Sequence, residues 1–386
     1  MVARKRIGLI FSYNESWIAG SYYILNIIHA LNTLDNHKKP VVVVLSENLD
    51  NFNIVKKETN YPFLEYFKFP FEKPEYNILE RLINKVSRMV NKKNSIVKTP
   101  KQPDIAFLYP NQIDTIQVNG LKKVNWIPDF QEEHLSQFFS EEEIKTRKYN
   151  QKEIYSNGDI VVLSSQDSEN DFKKLYPKAK AKTVVLNFAV THPDFSYIKP
   201  KKIFKKYNIS DSYFFLPNQF WAHKNHLVVL KALKILKDEG IDVLVVFSGN
   251  ENDYRNKDYV ANLKSFVDLN NLENNVNFLG FIPRDEQLFL MKHAKAVIQP
   301  SYFEGWSTVV EDIKAINNFV LLSNIEVHIE QMKDNRDFFY PNDPAELASL
   351  IKKYTKQETK IKNIDYTLNK IKFSNEFIKL VEQATI

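Results

Sequence analysis

Short apolar runs alternate with longer stretches of helical period along most of the chain. Val41–Leu45 is four Val and a Leu with no polar break, the pattern of a strand covered on both faces. Ile7–Phe11, Ile105–Leu108, Val124–Ile127, Ile160–Leu163 and Val184–Leu186 read as further short strands, and Tyr22–Leu34 as a helix. The segment Tyr197–Lys206 is rich in Lys, contains Pro200 and has no strong period, which places a domain boundary there. Beyond it the alternation starts again. It predicts strands at Tyr213–Leu216, Val243–Phe247, Val276–Leu279, Ala296–Gln299 and Val320–Leu322. Helices are expected at Leu227–Glu239, Tyr259–Leu269, Arg284–His293, 308–317, Pro344–Tyr354 (with Asp343 as N-cap) and 374–383. Strands alternating with helices imply parallel sheets, so the fold class is α/β, in two consecutive domains of similar size.

Composition narrows the chemistry. The 386 residues include no Cys, which excludes disulfides, thiolate zinc sites and a Cys nucleophile, and fits a cytoplasmic protein. No apolar run reaches the length of a spanning helix. The basic opening Met1–Arg6 precedes an apolar run too short for a signal peptide, so it reads as the approach to a first strand. The net charge is +6, yet residues 81–101 alone hold seven cations and no acid. The remainder is near neutral, unlike a general nucleic-acid binder. Within that stretch Arg81, Lys85, Arg88 and Lys92 fall on one helical face, and Leu79, Leu82, Ile83, Val86, Met89 and Val90 cover much of the rest. This pattern fits peripheral contact with an anionic membrane surface, or else a solvated helix on the first domain or a disordered insertion.

Only eight Gly occur. Gly20, Gly249, Gly280 and Gly305 flank predicted strand ends, where ligands bind in open α/β sheets. Gly240 reads as a helix cap. The four Trp, at 17, 126, 221 and 306, fall on predicted strand-to-helix connections and point to a ligand-facing or interdomain surface. There is no G-x-G-x-x-G after the first strand, no phosphate-binding P-loop, no G-x-S-x-G and no H-E-x-x-H. D-x-D is absent too, which removes the simplest acidic site for a metal-bound diphosphate, and no metal or cofactor is expected.

The strongest motif is Pro300–Asp312, after a strand and opening a helix. Gly305 permits a sharp turn. The amides of Trp306, Ser307 and Thr308 would then face outward at a helix N-terminus, with Ser307 or Thr308 as cap, a geometry that binds phosphate without metal. Glu304 and Glu311 flank this cradle and suit sugar hydroxyls. The plainer alternative is a capped helix with a solvated acid. The second motif is Leu216–His226. Lys224 precedes a helix N-terminus, where a cation is unfavourable unless an anion joins it. His223 and His226 have metal-ligand spacing but no evident acidic partner.

Together, Phe303–Asp312 and Lys224-Asn225-His226 resemble the retaining family 4 glycosyltransferases of the GT-B fold, of the bacterial polysaccharide and O-antigen type. Ser323–His328, Tyr340–Pro344 and Trp126–Gln131 add to the resemblance, which is strong over 213–350 and weak before 125. It implies two facing Rossmann-like domains with a deep cleft between them. Residues 1–198 would bind the acceptor, 199–370 the nucleotide-sugar donor, and the helix in 371–386 would pack back toward the first domain. Glu304 resembles the family Glu on donor-sugar hydroxyls, Gly305–Thr308 the diphosphate-binding turn, Glu311 the acid near the ribose, and Lys224 the diphosphate-neutralising Lys. Gly20 resembles the glycine-rich loop over the phosphates. Asn218, Gln219, Gly249 and Asn250 are assigned to the donor site with them.

Three departures accompany the likeness. Six residues, not seven, separate the two acids; Gln219 stands where an Arg is usual; and Asp129, Gln131 and His134 all lie near the expected first-domain His. Asp129 is taken as the catalytic candidate beside Glu304 and Lys224. The implied reaction is metal-independent sugar transfer, with retention, to a glycan or lipid-linked saccharide hydroxyl. A nucleotide-sugar epimerase of the same fold and a non-catalytic binding subunit are the alternatives. An acceptor of that kind would place the protein in the cytoplasm or at the inner membrane face.

Overall fold

The computed structural model describes residues 4–13, 18–72, 74–98, 100–111, 118 and 120–385. In chain order the elements are β1 (Arg6–Ile10), α1 (Ile18–Leu31), β2 (Val41–Ser46), α2 (Leu49–Thr59), β3 (Leu64–Lys68), α3 (Ile78–Asn91), β4 (Phe107–Tyr109) and β5 (Val124–Ile127). Then follow α4 (Gln131–His134), α5 (Glu141–Asn157), β6 (Ile160–Leu163), α6 (Gln166–Leu175), β7 (Lys182–Val185) and α7 (Pro200–Tyr207). The remainder comprises β8 (Phe214–Leu216), α8 (His226–Asp238), β9 (Val245–Phe247), α9 (Tyr259–Leu269), β10 (Val276–Phe278), α10 (Arg284–His293), β11 (Val297–Gln299), α11 (Thr308–Ile316), β12 (Val320–Ser323), α12 (Glu326–Gln331), β13 (Arg336–Phe339), α13 (Pro344–Lys356) and α14 (Thr367–Thr385).

The chain forms two compact units that are discontinuous in sequence. One comprises Met1–Trp126, Asn157–Ile160 and Ser374–Ile386, the other Ile127–Ser156 and Val161–Phe373. The sheets have the strand orders β3-β2-β1-β4, β5-β6-β7 and β10-β9-β8-β11-β12-β13.

In the first unit β1 lies between β2 and β4, both parallel to it. The unbroken apolar run of β2 is explained by its place between β1 and β3, with Val42 to Leu45 almost fully buried. At the end of β4, the Tyr109 hydroxyl meets that of Tyr23 at 2.7 Å. Phe377 packs edge-on against Phe107 and Tyr109. Trp126 belongs to β5 and stacks on Tyr23 at 4.0 Å, so it is a strand residue rather than part of a connection. Trp17 lies outside the described residues.

In the second unit the six strands are parallel. Successive residues of β8 point to opposite faces, as the pleat requires. Phe214 and Leu216 join one core with α8 and α13, while Tyr213 and Phe215 join another with α10 and α11. This is a doubly wound sheet. From β8 the strand order runs one way to β9 and β10; from β11 it runs the other way to β12 and β13. The reversal between β8 and β11 opens a crevice at their carboxyl ends, where such folds bind ligands.

The Tyr197–Lys206 boundary segment contains an element that sequence periodicity did not indicate. Pro200 occupies the first turn of α7, where its missing N–H costs nothing, so the residue read as a breaker starts a helix.

Candidate active site

The site is built on the loops that leave β8, β9, β11 and β12. After β8 the chain passes Asn218 and Gln219 into a short 3₁₀ turn, Ala222–Lys224, and enters α8 through Asn225, which adopts a left-handed conformation. Asn225 Nδ2 donates to Pro300 O (3.1 Å) and Pro341 O (2.7 Å), tying this loop to those after β11 and β13. Asn218 Nδ2 donates to Gln299 Oε1 at 2.7 Å, across the point where the strand order reverses.

Lys224 Nζ reaches Glu304 Oε1 at 2.6 Å, with side chains 18% and 10% exposed. Gln299 Nε2 (2.9 Å) and Ser301 Oγ (2.7 Å) donate to the same oxygen. Among the described residues none donates to Oε2, which leaves that oxygen for a ligand hydroxyl. Burial pushes the Glu304 carboxyl up, but Lys224, His328 and the hydrogen bonds outweigh it and hold the group below its ordinary value. Glu304 is therefore a carboxylate at neutral pH, able only to accept.

The turn after Glu304 leads into α11. Ser307 is the N-cap, its hydroxyl accepting from Val310 N–H. Of the three amides expected to face an anion, that of Ser307 is occupied: it donates to Gln331 Oε1 at 3.0 Å. Gln331 Nε2 in turn donates to Ser307 O (2.8 Å) and Glu311 Oε1 (3.0 Å). Trp306 Nε1 donates to Phe188 O at 3.1 Å, and Thr308 is the first residue of the helix. Glu311 is 1% exposed and accepts from Lys314, Gln331 and the Tyr366 hydroxyl. Its carboxylate is engaged by protein donors. The next residue, Asp312, is fully buried against Arg284 and His192 Nε2, the latter at 2.8 Å.

Two glycines are required by close approach. A Cβ on Gly249, after β9, would stand 2.0 Å from Asn218 O, and one on Gly305 would stand 2.3 Å from Pro128 O. Both obstacles are backbone and cannot swing away. The Gly305 turn thus lies against Pro128 and Asp129. Asp129 Oδ1 accepts from Gln131 N–H at 3.1 Å and stands 3.6 Å from Arg147. Asn250 faces the same loops: its carbonyl accepts from Phe220 N–H at 3.0 Å. Gly20, expected in a loop, is buried in the first turn of α1. His134 contacts Asp171 at 2.6 Å and stacks on Phe303, and the Asp171 hydrogen bond raises its pKa.

His223, His226 and His328 are buried and, chiefly through desolvation, less basic than an ordinary imidazole; His328 falls to about 4. Ser323 O accepts from His328 Nδ1–H at 2.9 Å, and its Nε2 is buried without a partner among the described residues. Among those residues no cluster of three or more His, Asp or Glu is disposed to hold a metal ion. Beside Trp221–His223 a cavity of about 560 Å³ is bounded by Phe139, Glu143, Tyr254 and Arg255. Glu143 accepts from Arg255 Nε at 3.1 Å; burial pushes its carboxyl up, and the Ser140 amide, Arg255 and Tyr254 bring it down to about 2.

The sequence reading named Glu304, Lys224, Gly305 and Ser307, and the structure brings them together. It did not find Gln299, Ser301, Gln331 or Tyr366. Gln299 was visible as a polar last residue of an otherwise apolar strand; Gln331 and Tyr366 come from elements with no pattern pointing to the site.

Comparison with known proteins gives one picture. Residues 199–370 match the family described as glycosyl transferases group 1. Over 192 residues the chain is 26% identical to the O-antigen chain mannosyltransferase RfbU of Salmonella typhimurium, covering 50% of each protein. The chain thus spans about half the length of that curated relative. Among solved structures, HepE from Anabaena, crystallised with UDP and glucose, superimposes with a TM-score of 0.60 at 17% identity, over 99% of this chain and 95% of that one. WaaG, a glycosyltransferase involved in lipopolysaccharide biosynthesis, does so with a TM-score of 0.54 at 13% identity, over 100% and 98%. Residues 199–370 are thus similar to the glycosyl transferases group 1, and the chain has the GT-B fold with Rossmann-like sheets.

Proposed function

We propose that this chain is a glycosyltransferase that moves a sugar from a nucleotide-diphosphate donor to a hydroxyl of a glycan or lipid-linked saccharide, with retention of configuration and without a metal ion. Residues 199–370 hold the donor and residues 1–198 the acceptor. The observation that carries this reading is the Lys224–Glu304 pair at the carboxyl ends of β8 and β11, beside the N-terminus of α11. A cation and a helix N-terminus suit a diphosphate; a carboxylate with one oxygen unclaimed among the described residues suits a sugar hydroxyl. The matched family and the relatives named above support the same chemistry.

In this mechanism negative charge grows on the departing diphosphate, and Lys224 with the N-terminal end of α11 stabilises it in place. Glu304 Oε2 orients the donor sugar. Asp129 lies against the Gly305 turn and is the proposed catalytic partner of Glu304 and Lys224. The acceptor hydroxyl passes its proton to the leaving phosphate oxygen as the new C–O bond forms, so no dedicated protein base is needed. Thermal shift against UDP-, GDP-, ADP-, dTDP- and CDP-sugars tests the donor half, because a selective ligand raises the melting temperature. Selective stabilisation by one nucleotide class, followed by a saccharide product with that donor, is the expected result. Stabilisation by none would overturn the reading, and a changed sugar in donor-only incubation would favour an epimerase.

A further inference from the structure

Helix α3 turns its apolar side to solvent. Leu79, Leu82, Ile83, Val86, Met89 and Val90 are between 46% and 75% exposed. The residues it turns inward are polar. Asn84 Nδ2 donates to Ile96 O and its Oδ1 accepts from Ile96 N–H, both at 2.8 Å. Ser87 Oγ donates to Lys93 O and accepts from Ser95 Oγ, both at 2.7 Å. Residues 92–98 therefore fold back along the polar side, and Lys98 Nζ closes the return on Glu80 at 2.7 Å. A capping box, Asn77 with Glu80, starts the helix. An ordinary surface helix buries its apolar stripe and wets its polar one; here the two are exchanged.

At about 100° per residue these apolar positions span an arc of roughly 120° on the side away from Asn84. Arg81, Lys85, Arg88 and Lys92 form a row along one border of that arc. Among the described residues, Arg81 and Arg88 make backbone contacts through Nε to Tyr76 O and Asn84 O, and none of the four cations has an acidic partner. Lys98, another of the seven cations in residues 81–101, is paired with Glu80.

We propose that α3 lies in the surface of an anionic lipid bilayer, with its apolar arc among the acyl chains and its cationic row against the headgroups. The geometry favours a bilayer over a protein partner: the apolar surface is the convex side of one helix, and the cations line its edge, as a planar anionic interface requires. No described helix is long and apolar enough to cross a membrane, so this is a contact in the plane of the surface.

Flotation with phosphatidylcholine vesicles, with and without phosphatidylglycerol, tests this on the full chain. Two variants are compared with wild type: Arg81→Gln/Lys85→Gln/Arg88→Gln/Lys92→Gln, and Leu79→Ser/Leu82→Ser/Val86→Ser/Met89→Ser. Because these side chains are exposed, melting temperature and circular dichroism should not change. Wild type should float with the anionic vesicles only, and each variant should lose about tenfold or more in partitioning. Added salt should weaken wild type most. Equal flotation of wild type and both variants would overturn the proposal. So would vesicle binding by none of them, including the case where wild type self-associates through α3 and the Ser variant does not. The readout is binding rather than transfer, so its failure leaves the donor-site reading untouched.

Discussion

Lys224 Nζ and Glu304 Oε1 lie 2.6 Å apart although eighty residues separate them in sequence. The pair forms because β8 and β11 are neighbours at the reversal of strand order, so the loops leaving them meet. Each charge is largely withdrawn from water, and each is the other's main compensation.

That dependence has a signed consequence. The Glu304 carboxyl is held below 4.5, so the stability it contributes is present above that pH and is lost as pH falls through its depressed value. Removing the cation in Lys224→Ala takes away the largest influence opposing burial, leaving His328 and the bonds from Gln299 and Ser301, and carries the carboxyl upward. The variant should be about 2–4 kcal/mol less stable than wild type near pH 8, with the gap narrowing as pH falls toward 5 because the neutral acid is then tolerated. Chemical denaturation across pH checks this; a gap that does not vary with pH contradicts it.

Gln331 clamps the start of α11 by bonding both the N–H and C=O of Ser307 while also donating to Glu311. Gln331→Ala strands these buried groups and should cost about 1–3 kcal/mol. It should also weaken nucleotide binding, since the turn would no longer be fixed. Unchanged stability in urea, with unchanged nucleotide affinity, would show that the clamp is incidental.

Gly249→Ala places a methyl where Asn218 O stands, so the loops after β8 and β9 must part. A loss of about 1–3 kcal/mol is expected from such overpacking, with weaker nucleotide binding. The same change at Gly240, where a Cβ would meet nothing within 4 Å, should leave nucleotide binding alone. The two melting curves and two titrations together separate a site effect from a general one.

The fold was legible where apolar period was strong. Tyr259–Leu269 and Arg284–His293 were located at their observed ends. The helix over Tyr22–Leu34 begins earlier, at Ile18, and ends at Leu31. Helix α5 escaped because it is nearly all polar, with only Gln151 and Ile154 buried. Helices α2, α6 and α12 and strands β3 and β13 likewise lack an unbroken apolar stripe, and tertiary contacts decide their state. At the site, motif spacing named Lys224 and Glu304, which the structure brings together. It could not show that Glu311 is consumed by Tyr366, Gln331 and Lys314, because that depends on chain segments remote from the motif.

Transfer activity should persist in excess EDTA, since the proposed diphosphate ligands are Lys224 and backbone amides rather than metal-binding acids. Product formation measured with and without chelator decides the point; complete loss that Mg²⁺ or Mn²⁺ restores would contradict it.

The central claim is that Lys224, Glu304 and the 305–308 turn form one donor site. Calorimetric titration of the preferred nucleoside diphosphate into wild type, Lys224→Ala and Glu304→Gln, paired with transfer rates, tests it most directly. Lys224→Ala should lose about tenfold or more in nucleotide affinity, the equivalent of one charge-assisted contact. Glu304→Gln should bind nucleotide nearly as wild type yet transfer sugar far more slowly, because its role is at the sugar. Wild-type affinity and turnover in both variants would contradict the assignment.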